Sequence, residues 1–242
     1  MTTRNLAVPG RALAIGAHPD DVEFGCGATL AKWAAAGTEI FHLVLTDGSK
    51  GTWQADQDPT ELVARRQVEQ RAAARALGGG EVVFLGWPDG ELESGLRQRF
   101  QVAGWIRRLR PDVVLGHDPW KRYRLHPDHR NAGFLTTDAI VAARDPLFFP
   151  ELDAPPHRPS ELLLWEADEV DHLEEVAATF DAKIAALLAH ESQFHTTMRI
   201  TDGGAASEEH AAFVERMRAR LLDFGAPEGL GPCEGFKRLD RL

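Results

Sequence analysis

The chain has no unbroken apolar run long enough to cross a bilayer, so a membrane-spanning protein is not expected. Cysteine is scarce. Only Cys26 and Cys233 occur, far apart in sequence, which argues against a disulfide framework and fits a reducing cytoplasm, with a single bridge left open. Positive charge is in deficit: 27 Lys and Arg stand against 37 Asp and Glu, a formal charge of −10. A nucleic-acid backbone is therefore a poor partner, because binding phosphates needs a basic surface. No repeat, low-complexity tract or targeting segment is read. At the N-terminus, His18 and two Asp follow where a signal peptide would place small residues. A dinucleotide fingerprint is missing too, since HPDD follows the first expected strand and Gly25-Cys26-Gly27 lacks a third glycine at the required spacing.

What is present is an ordinary globular composition, 43% hydrophobic and 26% charged over 242 residues, a length suited to one α/β domain spanning 1–242. Apolar runs at 12–17, 39–45, 82–86 and 112–116 read as buried parallel strands, and 161–167 as a further strand. Helical patterns fall at 26–36, 60–77, 96–109, 127–143, 179–194 and 207–223. The Pro-rich stretch 145–160 and the tail from about 224 read as irregular. Alternation of this kind predicts an α/β fold, a Rossmann-like three-layer α/β/α arrangement with a mostly parallel sheet.

Two segments carry chemistry. Ala17-His18-Pro19-Asp20-Asp21 sits after the first strand, where sites of open α/β sheets gather. A His and a carboxylate three residues apart can face one cation, although a capping turn would use the same residues. Arg124-Leu125-His126-Pro127-Asp128-His129-Arg130 follows the fourth strand and opens a helix. Either His there could be merely packed or capping. Together, on the same side of a parallel sheet, the segments supply an imidazole and carboxylate set that suits zinc or a similar ion.

The strings AHPDDVEFGCGATL and HPDH, with ARRQVEQRAAARALG between them and AHESQF downstream, resemble the LmbE or PIG-L family of metal-dependent N-acetylglucosaminyl deacetylases and amidases. The ordered motifs cover about residues 12–195. One departure is that Val22 follows the Asp pair and the acid comes next, as Glu23, so its role is open between buried and capping carboxylate. The resemblance implies that His18, Asp21 and His129 bind Zn²⁺ or another divalent metal. It makes Asp20 the general base and leaves His126 to meet charge on the carbonyl oxygen. It also implies a small N-acyl amino sugar or conjugate as substrate and, since relatives vary in assembly, leaves a homo-oligomer as the expectation. An amidase for mycothiol-type S-conjugates is the alternative, with a nucleotide-binding or non-catalytic α/β module further behind.

Around this set, Arg66, Asp47, Lys50 and Tyr123 are candidate substrate contacts. Each has a plain structural alternative. Arg66 and Glu69 would look the same as an i, i+3 surface pair, and Asp47-Gly48 as a turn. His117 and Asp118 end the fourth strand and are expected to line the pocket or support a ligand. Lys121, Arg122 and Arg124 form either a local anion-attracting patch or a solvated loop.

Overall fold

The computed structural model describes residues 2–201 and 207–242. In chain order the elements are β1 (Thr3–Arg4), β2 (Arg11–Gly16), α1 (Asp21–Ala35), β3 (Glu39–Thr46), α2 (Pro59–Ala76), β4 (Glu81–Trp87) and α3 (Leu96–Leu109). They continue with β5 (Val113–His117), α4 (Pro127–Arg144), β6 (Glu161–Trp165), β7 (His172–Glu175), α5 (Phe180–Leu188), α6 (Glu208–Gly225) and β8 (Cys233–Leu239). One sheet holds all eight strands in the order β1-β7-β8-β6-β5-β2-β3-β4. Strands β2 to β6 run parallel to one another, while β8 runs antiparallel to β6 and β7.

Strand periodicity divides the core into two layers of contact. Leu13 and Ile15 of β2, with Phe41, Leu43 and Leu45 of β3, pack on Ile106 of α3 and Leu135 of α4. The alternate residues Ala12 and Ala14 face Leu30 and Trp33 of α1 and Leu77 beyond α2. Successive strand residues point to opposite faces, so one apolar run serves both helix layers. This is the three-layer α/β/α arrangement. From β2 the chain adds β3 and β4 on one side and then β5 on the other. The crevice between β2 and β5 is thus the point where strand order reverses, the usual seat of a ligand.

Several elements differ from expectation. The tail is not irregular: β8 sits inside the sheet between β6 and β7. Its CEGFKRL run lacks clean alternation, and its strand state comes from pairing on both sides. The short strands β1 and β7 carry too little apolar sequence to be read alone. The helix expected over 179–194 ends at Leu188 and gives way to a 3-10 turn at Glu191–Gln193 and a π turn at Phe194–Met198.

Helix α1 starts at Asp21, five residues earlier than expected, and is broken at Cys26 (φ −146°, ψ 16°). The break leaves backbone groups without helical partners, and a buried ion pair takes them up. Lys183 of α5 donates to Phe24 O (2.8 Å) and to Glu234 Oε1 of β8 (2.6 Å). Glu234 accepts from Ala28 N (3.1 Å) and Thr29 N (2.8 Å). Two distant elements therefore splice the first turn of α1 to the rest of the helix.

Candidate active site

The turn after β2 is tightly specified. Asp20, the residue before α1, has φ 99°, a left-handed conformation that costs a non-glycine residue energy and is found where surrounding structure enforces it. Asp20 N donates to Gln70 Oε1 (3.0 Å), whose Nε2 donates to Glu23 Oε1 (2.7 Å). Arg66 of α2 donates to Pro19 O (2.6 Å) and Gly48 O (2.9 Å) and lies 3.6 Å from the Asp20 carboxylate. Asp21 reaches back to accept from His18 N (2.7 Å). Beneath the turn, Glu23 is fully buried with His190 Nε2 at 3.4 Å and His42 Nδ1 at 4.0 Å. Glu23 is therefore a buried carboxylate tied to α2.

Asp21 is the centre of the cluster. Its carboxylate has three imidazole nitrogens at 3.3 Å: His18 Nδ1, His117 Nε2 and His129 Nε2. On the far side His18 Nε2 meets Asp128 (3.1 Å) and Asp89 (3.2 Å). His129 is stacked between His117 (centroids 4.4 Å apart) and His126 (4.6 Å). Outer groups fix these rings. Trp165 Nε1 donates to His117 Nδ1 (3.1 Å), and Arg124, paired with Glu166, lies 2.8 Å from His129 Nδ1. Trp165 comes close only because residue 25 is glycine, where a Cβ would lie 2.5 Å from the indole.

Electrostatics match this geometry. Burial alone lowers the His18 imidazole, but Asp128, Asp21 and Asp89 outweigh it and hold it well above its ordinary range. Burial alone raises Asp21, yet His129 and His117 hold it well below the carboxylate range. Asp20 is pushed up to about 6 by burial, with the Arg66 guanidinium opposing and Asp21 reinforcing the shift. His129 is pushed down to about 4 by burial and by the imidazoles of His117, His18 and His126, against the pull of Asp21. Donor atoms of His18, His126 and His129 lie within 4.8 Å of one another, as do those of Asp21, His117 and His129, and of His18, Asp89 and Asp128. Without an ion, this convergence of imidazoles needs protons to balance the carboxylates. A divalent cation replaces those protons, and the mixed nitrogen and oxygen donors suit one. The site is a possible His/Asp metal centre.

Residues 13–140 match the family model described as PIG-L, GlcNAc-PI de-N-acetylase. A diacetylchitobiose deacetylase of Thermococcus kodakarensis is 35% identical over 76% of this chain and 70% of its own. The chain belongs to the PIG-L family. A 1D-myo-inositol 2-acetamido-2-deoxy-alpha-D-glucopyranoside deacetylase of Geodermatophilus obscurus is 32% identical over 59% of this chain and 56% of that relative. Among solved structures, N,N'-diacetylchitobiose deacetylase from Pyrococcus horikoshii superposes with a TM-score of 0.85 at 27% identity, covering 96% of this chain and 84% of that one.

In this PIG-L domain a cleft of about 620 Å³ gathers His18, Asp20, Asp21, His126 and His129 with Lys50 and Arg66. Two other expected contacts lie elsewhere. Tyr123 is 88% exposed and is not part of the cleft wall. Asp47 is spent on structure, accepting from Ser49 N (2.9 Å) and Asp89 N (3.1 Å). Arg66 does not pair with Glu69, whose partners are Arg65 and Ser192. The Lys121–Arg124 loop is matched with acids, Lys121 with Asp168 and Arg124 with Glu166. Sequence reasoning missed Asp89, Asp128 and Glu166. Asp128 was visible inside HPDH, and Asp89 and Glu166 follow β4 and β6 at the rim, but carboxylates in loops are too common to single out.

Proposed function

We propose that this domain is a zinc-dependent hydrolase that removes the acetyl group from the nitrogen of an N-acetylated amino sugar. The observation that supports it best is the Asp21 carboxylate facing three imidazoles, with a second carboxylate, Asp20, beside it on the same cleft. His18, Asp21 and His129 would hold the ion. Bound there, zinc supplies a Lewis acid that polarises the amide carbonyl and lowers the pKa of water to about 7. Asp20, fixed by Gln70 and Arg66, takes the proton from the attacking water and returns it to the departing amine. His126, the exposed imidazole of the four, donates a hydrogen bond to the oxygen on which negative charge grows. His117 stays outside the ligand set and orients Asp21. The names of both curated relatives support an acetylated amino sugar as substrate. Two buried free thiols, Cys26 and Cys233, favour the cytoplasm.

Removing the metal with a strong chelator is expected to abolish release of free amine from N-acetylglucosamine derivatives, and Zn²⁺ to restore it. Asp20→Asn should keep the metal and lose about 10²–10⁴-fold in kcat, whereas His129→Ala should lose metal. Unchanged hydrolysis after verified metal removal overturns the assignment.

A further inference from the structure

Glu23 has no part in the chemistry above. It is fully buried, as are Gln70, His42 and His190 around it, and all four stand outside the described lining of the cleft. A carboxylate in such a place is costly unless its neighbours satisfy it. Two rings flank it, with His190 Nε2 at 3.4 Å from Oε2 and His42 Nδ1 at 4.0 Å from Oε1. Its one short contact is with α2, where Gln70 Nε2 donates to Oε1 (2.7 Å).

The polarity of that contact decides what Glu23 does. A primary amide carries an acceptor and a donor in nearly interchangeable positions, so its neighbours determine which end points where. On one side of Gln70 stands Asp20 N, which can only donate and does so to Oε1 at 3.0 Å. On the other stands the Glu23 carboxylate, which has only acceptors to offer. Both demand the same orientation, because a turned amide would set N–H against N–H and oxygen against oxygen. The peptide between Pro19 and Asp20 is then gripped at both poles. Arg66 Nη2 donates to Pro19 O (2.6 Å) while Gln70 takes the Asp20 N–H. Arg66 and Gln70 lie one turn apart on a single face of α2. A planar peptide held at both poles cannot rotate freely, and this hold keeps Asp20 at φ 99° with its carboxylate on the cleft wall. Released, the residue would relax toward negative φ and carry the carboxylate away.

We propose that Glu23 is a positioning residue for Asp20: it orients the Gln70 amide from beneath the turn and thereby fixes the peptide that aims the general base. The role rests on the deacetylase reading, and an exchange measurement on metal-free protein separates the two. Glu23→Met removes the acceptor. With metal-loaded protein and an N-acetylglucosamine derivative it should lower kcat about 10²-fold, the scale of a misplaced catalytic group. KM and zinc affinity should stay near wild type, since Asp21 is held separately by His18 N and three imidazoles. Glu23→Gln still offers Gln70 an oxygen and should recover most of the loss. In metal-free protein, hydrogen exchange at the Asp20 amide, followed by NMR, should be at least about tenfold faster in Glu23→Met than in wild type or Glu23→Gln. If Glu23→Met does not fold, the exchanged pair Glu23→Gln/Gln70→Glu is compared with Gln70→Met. The pair again gives Asp20 N an acceptor and should keep kcat, whereas Gln70→Met should lose it. If the wild type releases no amine, the reaction reading fails while the exchange comparison still decides whether Glu23 holds the turn. Unchanged exchange or unchanged kcat in Glu23→Met, a parallel fall in kcat and zinc affinity, or a pair as impaired as Gln70→Met overturns the proposal.

Discussion

Lys183→Met tests whether the buried Lys183–Glu234 pair is a splice across the break in α1. Both side chains are nearly inaccessible, so removing the ammonium leaves Glu234 charged and uncompensated, at a cost of about 3–5 kcal/mol. For a chain of this length, that corresponds to a fall in Tm of about 6–20 °C. The informative variant is the double mutant Lys183→Met/Glu234→Leu. An ordinary buried ion pair replaced by apolar residues is often neutral or stabilising. Here the same replacement also orphans Phe24 O, Ala28 N and Thr29 N, each at about 1–3 kcal/mol. The double mutant should therefore stay at least about 3 kcal/mol below wild type in urea unfolding followed by circular dichroism. Metal affinity should fall in parallel, because Asp21 lies in the turn that the pair secures. A double mutant within about 1 kcal/mol of wild type would refute the splice.

Gly25→Ala should place a methyl 2.5 Å from the Trp165 ring, costing about 1–3 kcal/mol by overpacking. Because Trp165 orients His117, zinc titration should also show weaker binding, and normal affinity with normal stability would contradict the contact. Glu174 provides a pH test away from the site. Burial alone would raise its carboxyl, but His172 and Lys32 hold it below its ordinary value of 4.5. Its ionised form thus contributes stability that is full above about 4.5 and is lost as pH falls through the depressed folded value. The Tm gap between wild type and Glu174→Gln should be widest near neutral pH and shrink on acidification; a gap that grows in acid would reverse the assigned sign.

The parallel strands were legible because each is buried on both faces and reads as a short apolar run, ALAIGA or EIFHLVL, bounded by turn residues. The HPDD and HPDH motifs were legible because their residue types are rare in combination and fall at strand ends. β8 was not, since its strand state comes from β6 and β7, which pair with it from both edges. The early start of α1 was hidden as well, because the Asp20 conformation and the break at Cys26 depend on Gln70, Lys183 and Glu234 from distant elements.

By itself, then, the sequence determined the layer architecture and the reactive side chains, since periodicity and residue chemistry are local properties. Only the tertiary structure decided that Asp128 meets His18 and that His129 meets Asp21, because each of those contacts joins residues more than a hundred positions apart. Packing of the sheet brings them to one rim, and no local pattern encodes that meeting.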